Sequence, residues 1–358
     1  MKVPAIAPRR GALGVAVAAL VVLVLSVGAV RSKAVFPGGD GLIAFQSFAN
    51  GNSEIYVMAA TSTVPQRLTT PKPLVTRPCY ALPTWSPDGK RMLFEYNPNA
   101  WGRPPTKSDI YVMNANGTGL RNLTAQLGPG FDGDPAWSPD GRQMIFERSP
   151  DGSAANTDVW VMNVDGAPAA HDLTPGSKGF DGDPAWSPGG RRIAFTSART
   201  GNNEIWLVNP DGSGLLNLTN NPASDTDPTW SPDGEFVAFT SNRDGNYEIY
   251  ETNDRFQLRR LTNSPSLDAL PAFSPDGRYI VFESDRFQAG NRDLYLMNAD
   301  GTGVRRLTTS AQWDVAPDWQ RIPPGTRPAA VPKLPALKPM KQPPNGRPGT
   351  QAVACLGR

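Results

Sequence analysis

The residues best placed to do chemistry are carboxylates that return at a regular interval. Asp132, Asp181, Asp225, Asp268 and Asp314 each stand three residues before a proline, at intervals of 49, 44, 43 and 46 residues. Tyr80 holds the same place in a sixth copy. A second series, Glu95, Glu147 and Glu283, follows a phenylalanine each time, and Gln46, Thr196 and Thr240 take that place in the other copies. Converging carboxylates can hold a divalent cation through hard oxygen ligands, seat a basic peptide, or share acid–base work on a glycan. Each Asp can equally cap its own turn by accepting backbone N–H groups. A ring of repeats is symmetric by construction, so repetition alone does not separate these readings.

Other catalytic patterns are missing. The single histidine, His171, stands beside Asp172 where other copies carry Arg or Asn, which reads as a surface substitution. The sequence has no G-x-S-x-G, no H-E-x-x-H and no P-loop. Two cysteines, Cys79 and Cys355, are too few for a metal-type cluster. In an oxidising compartment they leave a Cys79–Cys355 disulfide open. Asn-x-Thr at Asn116, Asn122 and Asn217 falls in turns and strand ends, which reads as a product of the fold.

The elements that must position the carboxylates are themselves repeated. PTWSPDGKRMLFE (83–95), PAWSPDGRQMIFE (135–147), PAWSPGGRRIAFT (184–196), PTWSPDGEFVAFT (228–240) and PAFSPDGRYIVFE (271–283) are copies of one unit, and PDWQ at Trp319 begins a sixth. A period of about 45 residues indicates an array of supersecondary units. Within each unit, strand a carries P-x-W-S, and Pro-Asp-Gly supplies a tight turn. Strand b is an apolar run ending in Phe. Strand c reads acid–aliphatic–aromatic, as in Asp109–Met113. An Asn-Gly or Asp-Gly hairpin follows, and strand d ends in Leu-Thr. Four antiparallel strands per unit predict propeller blades. The first segment has strands b, c and d (Leu42–Phe45, Glu54–Met58, Arg67–Thr69) and the last has only strand a (Pro317–Gln320). Pairing them closes the ring and removes its free edges. The expected fold is all-β, a six-bladed propeller. The anchor residues Trp85, Trp137, Trp186, Trp230, Phe273 and Trp319 should pack between blades. The acids opening strand c (Glu54, Asp109, Asp158, Glu204, Glu248, Asp293) should tie down the b–c loops.

The repeat P-x-W-S-P-D-G…I-A-F…[DE]-I-Y-V-M-N…D-G…R-L-T resembles that of the TolB propeller family over roughly residues 40–320. The resemblance implies an extracytoplasmic propeller that takes a peptide or lipoprotein partner at its channel. It departs from TolB ahead of the repeat, where no α/β domain is expected. Since strand a is innermost in a propeller, both carboxylate series should ring one mouth of the axial channel. The b–c loops vary most, and the longest, 97–108, carries Trp101 and Arg103 as candidate anchors for a partner.

The flanks differ from the repeat. Residues 11–30 are uncharged and apolar after Lys2, Arg9 and Arg10. Twenty residues at about 1.5 Å each span a bilayer, so residues 1–34 read as a hydrophobic helix that is either a signal anchor or a cleaved signal peptide. Residues 35–320 form the propeller and hold all 33 acids against 23 Lys/Arg, while residues 321–358 hold seven Lys/Arg, nine prolines and no acid. An acidic body disfavours nucleic acid. The basic, Pro-rich tail should be disordered and polyproline-like, suited to an anionic wall polymer, to lipid headgroups or to its own acidic body. The expectation is a non-enzymatic interaction propeller in the bacterial cell envelope: periplasmic, membrane-anchored or secreted. It needs no cofactor, with room for a divalent cation at the channel mouth. The alternatives are a metal-assisted glycan lyase or hydrolase at that mouth, and a passive membrane-to-wall tether.

Overall fold

The computed structural model describes residues 39–48, 52–69, 78–98, 107–166 and 170–323. They form six four-stranded antiparallel sheets, one per repeat, arranged as the blades of a propeller. Blade 4 illustrates the unit: strand a Asp181–Trp186, b Ile193–Ser197, c Glu204–Val208 and d Leu216–Asn217. Blade 1 closes the ring, because strand Asp314–Ile322 pairs antiparallel with Gly39–Ser47. Gln320 strengthens the closure: its Oε1 accepts from the Leu42 amide at 3.1 Å and its Nε2 donates to the Gly89 carbonyl at 2.8 Å.

The repeated residues have local physical reasons. In the Ser-Pro-Asp-Gly turn the serine hydroxyl donates to the Asp carboxylate, at 2.6 Å for Ser86–Asp88 and Ser138–Asp140. The glycine takes φ near +70°, which a side chain would resist. The Thr of Leu-Thr accepts from the second amide of strand c in all six blades, from Ile55 to Leu294. In blades 1, 4 and 5 that Thr also donates to the acid opening strand c. The strand c acids therefore tie down strand d and the d–a loop more than the b–c loop. Glu204 and Glu248 accept from the amides of Asn221 and Ser264, and they reach the b–c loop only through the side chains of Asn202 and Asn246.

The core lies between blades. Trp85 packs with Ala44, Ile55 and Leu68 of blade 1, and Trp137 with Leu93, Ile110 and Leu123 of blade 2. The indole N–H of Trp137 donates to Thr84 O and that of Trp230 to Ala185 O, both at 3.2 Å, so these two anchors are also bonded to the preceding blade. The Asn-x-Thr sites are spent on turns: Asn122 Oδ1 accepts from the Thr124 amide and Asn217 Oδ1 from the Thr219 amide. His171 is exposed. The apolar run 11–30, the tail beyond 323 and Cys355 lie outside the described residues. Among the described residues no helix is long and apolar enough to cross a membrane.

Candidate functional site

Strand a of every blade is broken by a bulge, and the bulge builds the channel wall. Leu82, Asp134, Asp183, Asp227, Leu270 and Ala316 each precede a proline and each have φ between +43° and +55°. The pairing register with strand b slips at the same point in blades 2 to 6. Proline has no N–H to give the ladder, which suits it to a bulge. The left-handed residue before it is strained, at roughly 1–2 kcal/mol for Leu or Ala and less for Asp. The preceding blade holds this conformation in place. Thr196 Oγ1 accepts from the Asp227 amide at 3.3 Å, and Thr240 Oγ1 from the Leu270 amide at 3.1 Å.

These six residues, their prolines and Asp318 line an axial cavity of about 140 Å³. Its wall is two-sided. Blades 3, 4 and 5 present Asp134, Asp183 and Asp227, while blades 6, 1 and 2 present Leu270, Ala316 and Leu82, with Asp318 of blade 1 accepting from the Trp85 amide at 2.6 Å. Glu147 joins the acidic half: one carboxylate oxygen each of Asp134, Glu147 and Asp183 lie within 4.8 Å of one another. Gly133 and Gly182 make room for it, since a Cβ on Gly182 would lie 2.3 Å from Glu147 Oε2 and one on Gly133 2.9 Å from Oε1. Burial pushes the Asp227 carboxyl up to about 7; the Thr226 hydroxyl opposes the rise, and the charges of Asp134 and Glu283 add to it. Burial also raises Glu283, against the pull of Arg292, whose Nη1 donates to Glu283 Oε1 at 2.5 Å.

The Asp series expected at the channel mouth lies elsewhere. Asp132, Asp181, Asp225, Asp268 and Asp314 are at most 2% exposed, and none lines the axial cavity. Four are held by an arginine at or just beyond the end of strand b: Asp132 by Arg148, Asp181 by Arg199 at 2.6 Å, Asp225 by Arg243 at 2.9 Å and Asp268 by Arg286 at 2.5 Å. Burial lifts Asp132 to about 6 although Arg148 opposes it. Each arginine also lies over an aromatic ring of strand b or c, as Arg243 does over Tyr250 at 4.7 Å. Four of these charges are buried against an arginine, which gives them a structural role. Tyr80 is buried too, packed on Phe94 and Tyr96. Of the second series, Glu147 reaches the acidic cluster, Glu283 is tied to Arg292 and Glu95 is buried. Trp101 and Arg103 lie outside the described residues.

The other mouth of the channel is apolar. Pro87, Pro139, Pro188, Pro232 and Pro275 of the Ser-Pro turns surround it, with Arg321 in the sixth position.

With this geometry, comparison with known proteins is informative. Residues 156–256 match the family model of the TolB beta propeller domain. Over that stretch the chain resembles the TolB propeller, and its fold is a six-bladed β-propeller. TolB from Acinetobacter baumannii superposes with a TM-score of 0.66 at 22% identity, over 79% of this chain and 67% of that one. A candidate TolB from Agrobacterium tumefaciens gives 0.57 at 19%, over 80% and 100%. The same architecture serves an enzyme, the oligogalacturonate lyase of Vibrio parahaemolyticus, at 0.51 and 15%, over 79% of each chain. At these identities the likeness is one of fold. No curated protein matches this chain in sequence.

Proposed function

We propose that this protein is an extracytoplasmic interaction propeller that seats one cationic side chain of a protein or peptide partner in the acidic half of its axial channel. The observation that carries this reading is the two-sided wall: Asp134, Asp183 and Asp227 on three consecutive blades, facing Leu82, Leu270 and Ala316. A lysine or arginine is two-sided in the same way, a charged head on an apolar stem. A void near 150 Å³ accepts a group the size of benzene, so a cavity of about 140 Å³ admits one side-chain head. The likeness to TolB supports an envelope location and a protein partner, and the apolar run 11–30 supports export. The test is crosslinked capture from native envelopes using the full chain and its Asp134→Asn/Asp183→Asn/Asp227→Asn variant, with matched folding checked by melting. Loss of a specific partner in the variant supports the reading. A partner retained at full yield removes it from the channel.

The spacing of Asp134, Glu147 and Asp183 favours a second reading at the same place, a divalent cation held by three carboxylates. Such a cation could serve a lyase or hydrolase. Calorimetric titration of the full chain with Ca²⁺ and Mn²⁺ separates the two: saturable binding lost in the triple variant favours the cation, and no heat favours the side chain.

A further inference from the structure

Four of the buried acids that open strand a are matched by an arginine, and the fifth, Asp314, is not. In blades 4, 5 and 6 the match is a cradle of fixed parts. The acid pairs in register with a serine of strand b: Asp181 with Ser197, Asp225 with Ser241 and Asp268 with Ser284. The arginine stands four residues after the strand b phenylalanine, as Arg199, Arg243 and Arg286. Its guanidinium meets the carboxylate at 2.6, 2.9 and 2.5 Å. It also lies over two rings, that of the strand b phenylalanine and that of the strand c aromatic two residues after the acid, 4.7–5.5 Å from their centroids.

Blade 1 keeps every part of this cradle except the arginine. Asp314 pairs in register with Ser47. The rings of Phe45 and Tyr56 have centroids 6.0 Å apart and planes at 29°, against 6.1 Å and 29° for Phe239 and Tyr250 and 5.9 Å and 30° for Phe282 and Tyr295. The ring pair thus has the same spacing and tilt as in two blades where a guanidinium lies over it. Four residues after Phe45, however, the sequence has Ala49. Asp314 is 2% exposed, and its Oδ1 is buried without a hydrogen-bond partner. Arg306 acts on Asp314 by charge, but its Nη2 donates to Asp293 at 2.7 Å and its guanidinium lies over the Phe287 ring at 3.7 Å. Arg67 holds the strand d place opposite Tyr56 that Arg260 holds opposite Tyr250, and blade 5 has its cradle arginine, Arg243, as well.

We propose that the blade 1 cradle binds the guanidinium group of an arginine side chain brought by a protein or peptide partner. The guanidinium donates to Asp314 Oδ1 and lies over Phe45 and Tyr56, as Arg243 lies over Phe239 and Tyr250. Charge-assisted bonding to a carboxylate combined with stacking on aromatic rings suits a planar guanidinium better than an ammonium, so the site selects arginine over lysine. In blades 4, 5 and 6 the arginine side chains are 17–23% exposed. The place they fill therefore lies just beneath the surface, within reach of a side chain from outside. Asp314 does not line the axial cavity, so this site is separate from the channel acids and does not depend on them.

The test is saturation-transfer NMR with N-acetyl-arginine amide and its lysine counterpart. Each is titrated into the full chain carrying Asp134→Asn, Asp183→Asn and Asp227→Asn, so that the channel does not contribute. The titration is run at pH 8. Burial lifts the Asp314 carboxyl to about 7, against bonds from Ser47 and Thr308, with the charge of Asp293 adding and that of Arg306 opposing, so it is ionised there. The arginine probe should bind saturably, about fivefold or more tighter than the lysine probe. Asp314→Asn should abolish that binding. Ala49→Arg, which supplies the guanidinium from within the blade, should abolish it too and raise Tm. Should the channel variant fail to fold, the unmodified chain carries the test: Ala49→Arg then lowers arginine binding and leaves lysine binding unchanged. Absence of saturable binding, equal affinity for the two probes, or binding that survives either substitution overturns the proposal.

Discussion

Asp225→Asn and Asp314→Asn remove the same atoms from equivalent positions and should have opposite consequences. Asp225 is fully buried and accepts from Arg243 Nη2 at 2.9 and 3.1 Å and from Asn221 Nδ2 at 2.6 Å. Arg243 is itself largely buried between this carboxylate and the rings of Phe239 and Tyr250. Neutralising one partner of such a pair strands the other charge, which costs about 3–5 kcal/mol. Asp314 has no such arginine, because Ala49 stands where Arg199, Arg243 and Arg286 stand in blades 4, 5 and 6. Burial pushes the Asp314 carboxyl up to about 7; hydrogen bonds from Ser47 and Thr308 oppose the rise, the charge of Asp293 adds to it, and that of Arg306, which is bonded to Asp293, opposes it weakly. For an acid whose folded pKa is raised, the folded state binds more protons than the unfolded state between pH ~4 and ~7. Stability from that group is fully present below this window and is lost as pH rises through it. Asn mimics the protonated form, so Asp314→Asn should be near neutral at pH 5 and stabilise at pH 8 by up to about 4 kcal/mol. At roughly 2 °C per kcal/mol for a domain of this size, Asp225→Asn lowers Tm by about 6–10 °C at pH 8. Asp314→Asn raises it by a few degrees. Calorimetric melting at pH 5 and pH 8 measures both. Equal losses in the two variants would refute the argument that arginine pairing, rather than burial alone, decides the cost.

Three further outcomes follow from the geometry. Trp137→Ala removes a buried ring that Arg91 covers at 4.7 Å and should cost about 3–5 kcal/mol in urea unfolding. Gly182→Ala puts a methyl group 2.3 Å from Glu147 Oε2 and 2.2 Å from the Phe180 ring; melting should show a loss of about 1–3 kcal/mol, and cationic guests should bind more weakly. Asp227, raised to about 7 chiefly by burial, takes up a proton as pH falls through 7. Affinity for a cationic guest should therefore be several-fold higher at pH 8 than at pH 6, a difference that Asp227→Asn abolishes in a binding titration.

The blade count, the closure of blade 1 and the interblade tryptophans were legible because each rests on a local signal repeated in every unit. Turn chemistry, alternation and an aromatic at a fixed offset all point the same way. The channel was misread for the same reason. Asp132, Asp181, Asp225, Asp268 and Asp314 drew notice by repeating, but a feature needed in nearly every blade serves the blade. Their arginine partners lie 16–18 residues away in sequence, across strand b. Of the acids that do line the cavity, Asp134, Asp183 and Asp227 stand two residues later in three blades, and Asp318 follows the proline in blade 1. A signal was present, since Asp tolerates the left-handed backbone better than most residues. The bulge that makes that backbone necessary becomes visible only in three dimensions.

The most direct test of the account is photocrosslinking inside the channel. A benzophenone amino acid at position 270, on the apolar half of the wall, should capture a partner in intact cells, and peptide mapping should place a lysine or arginine of that partner at the crosslink. Adding Asp134→Asn, Asp183→Asn and Asp227→Asn to the same chain should abolish the adduct. An adduct of undiminished yield in that variant, or one mapping to a segment without a basic residue, would contradict the claim that the carboxylates seat a cation.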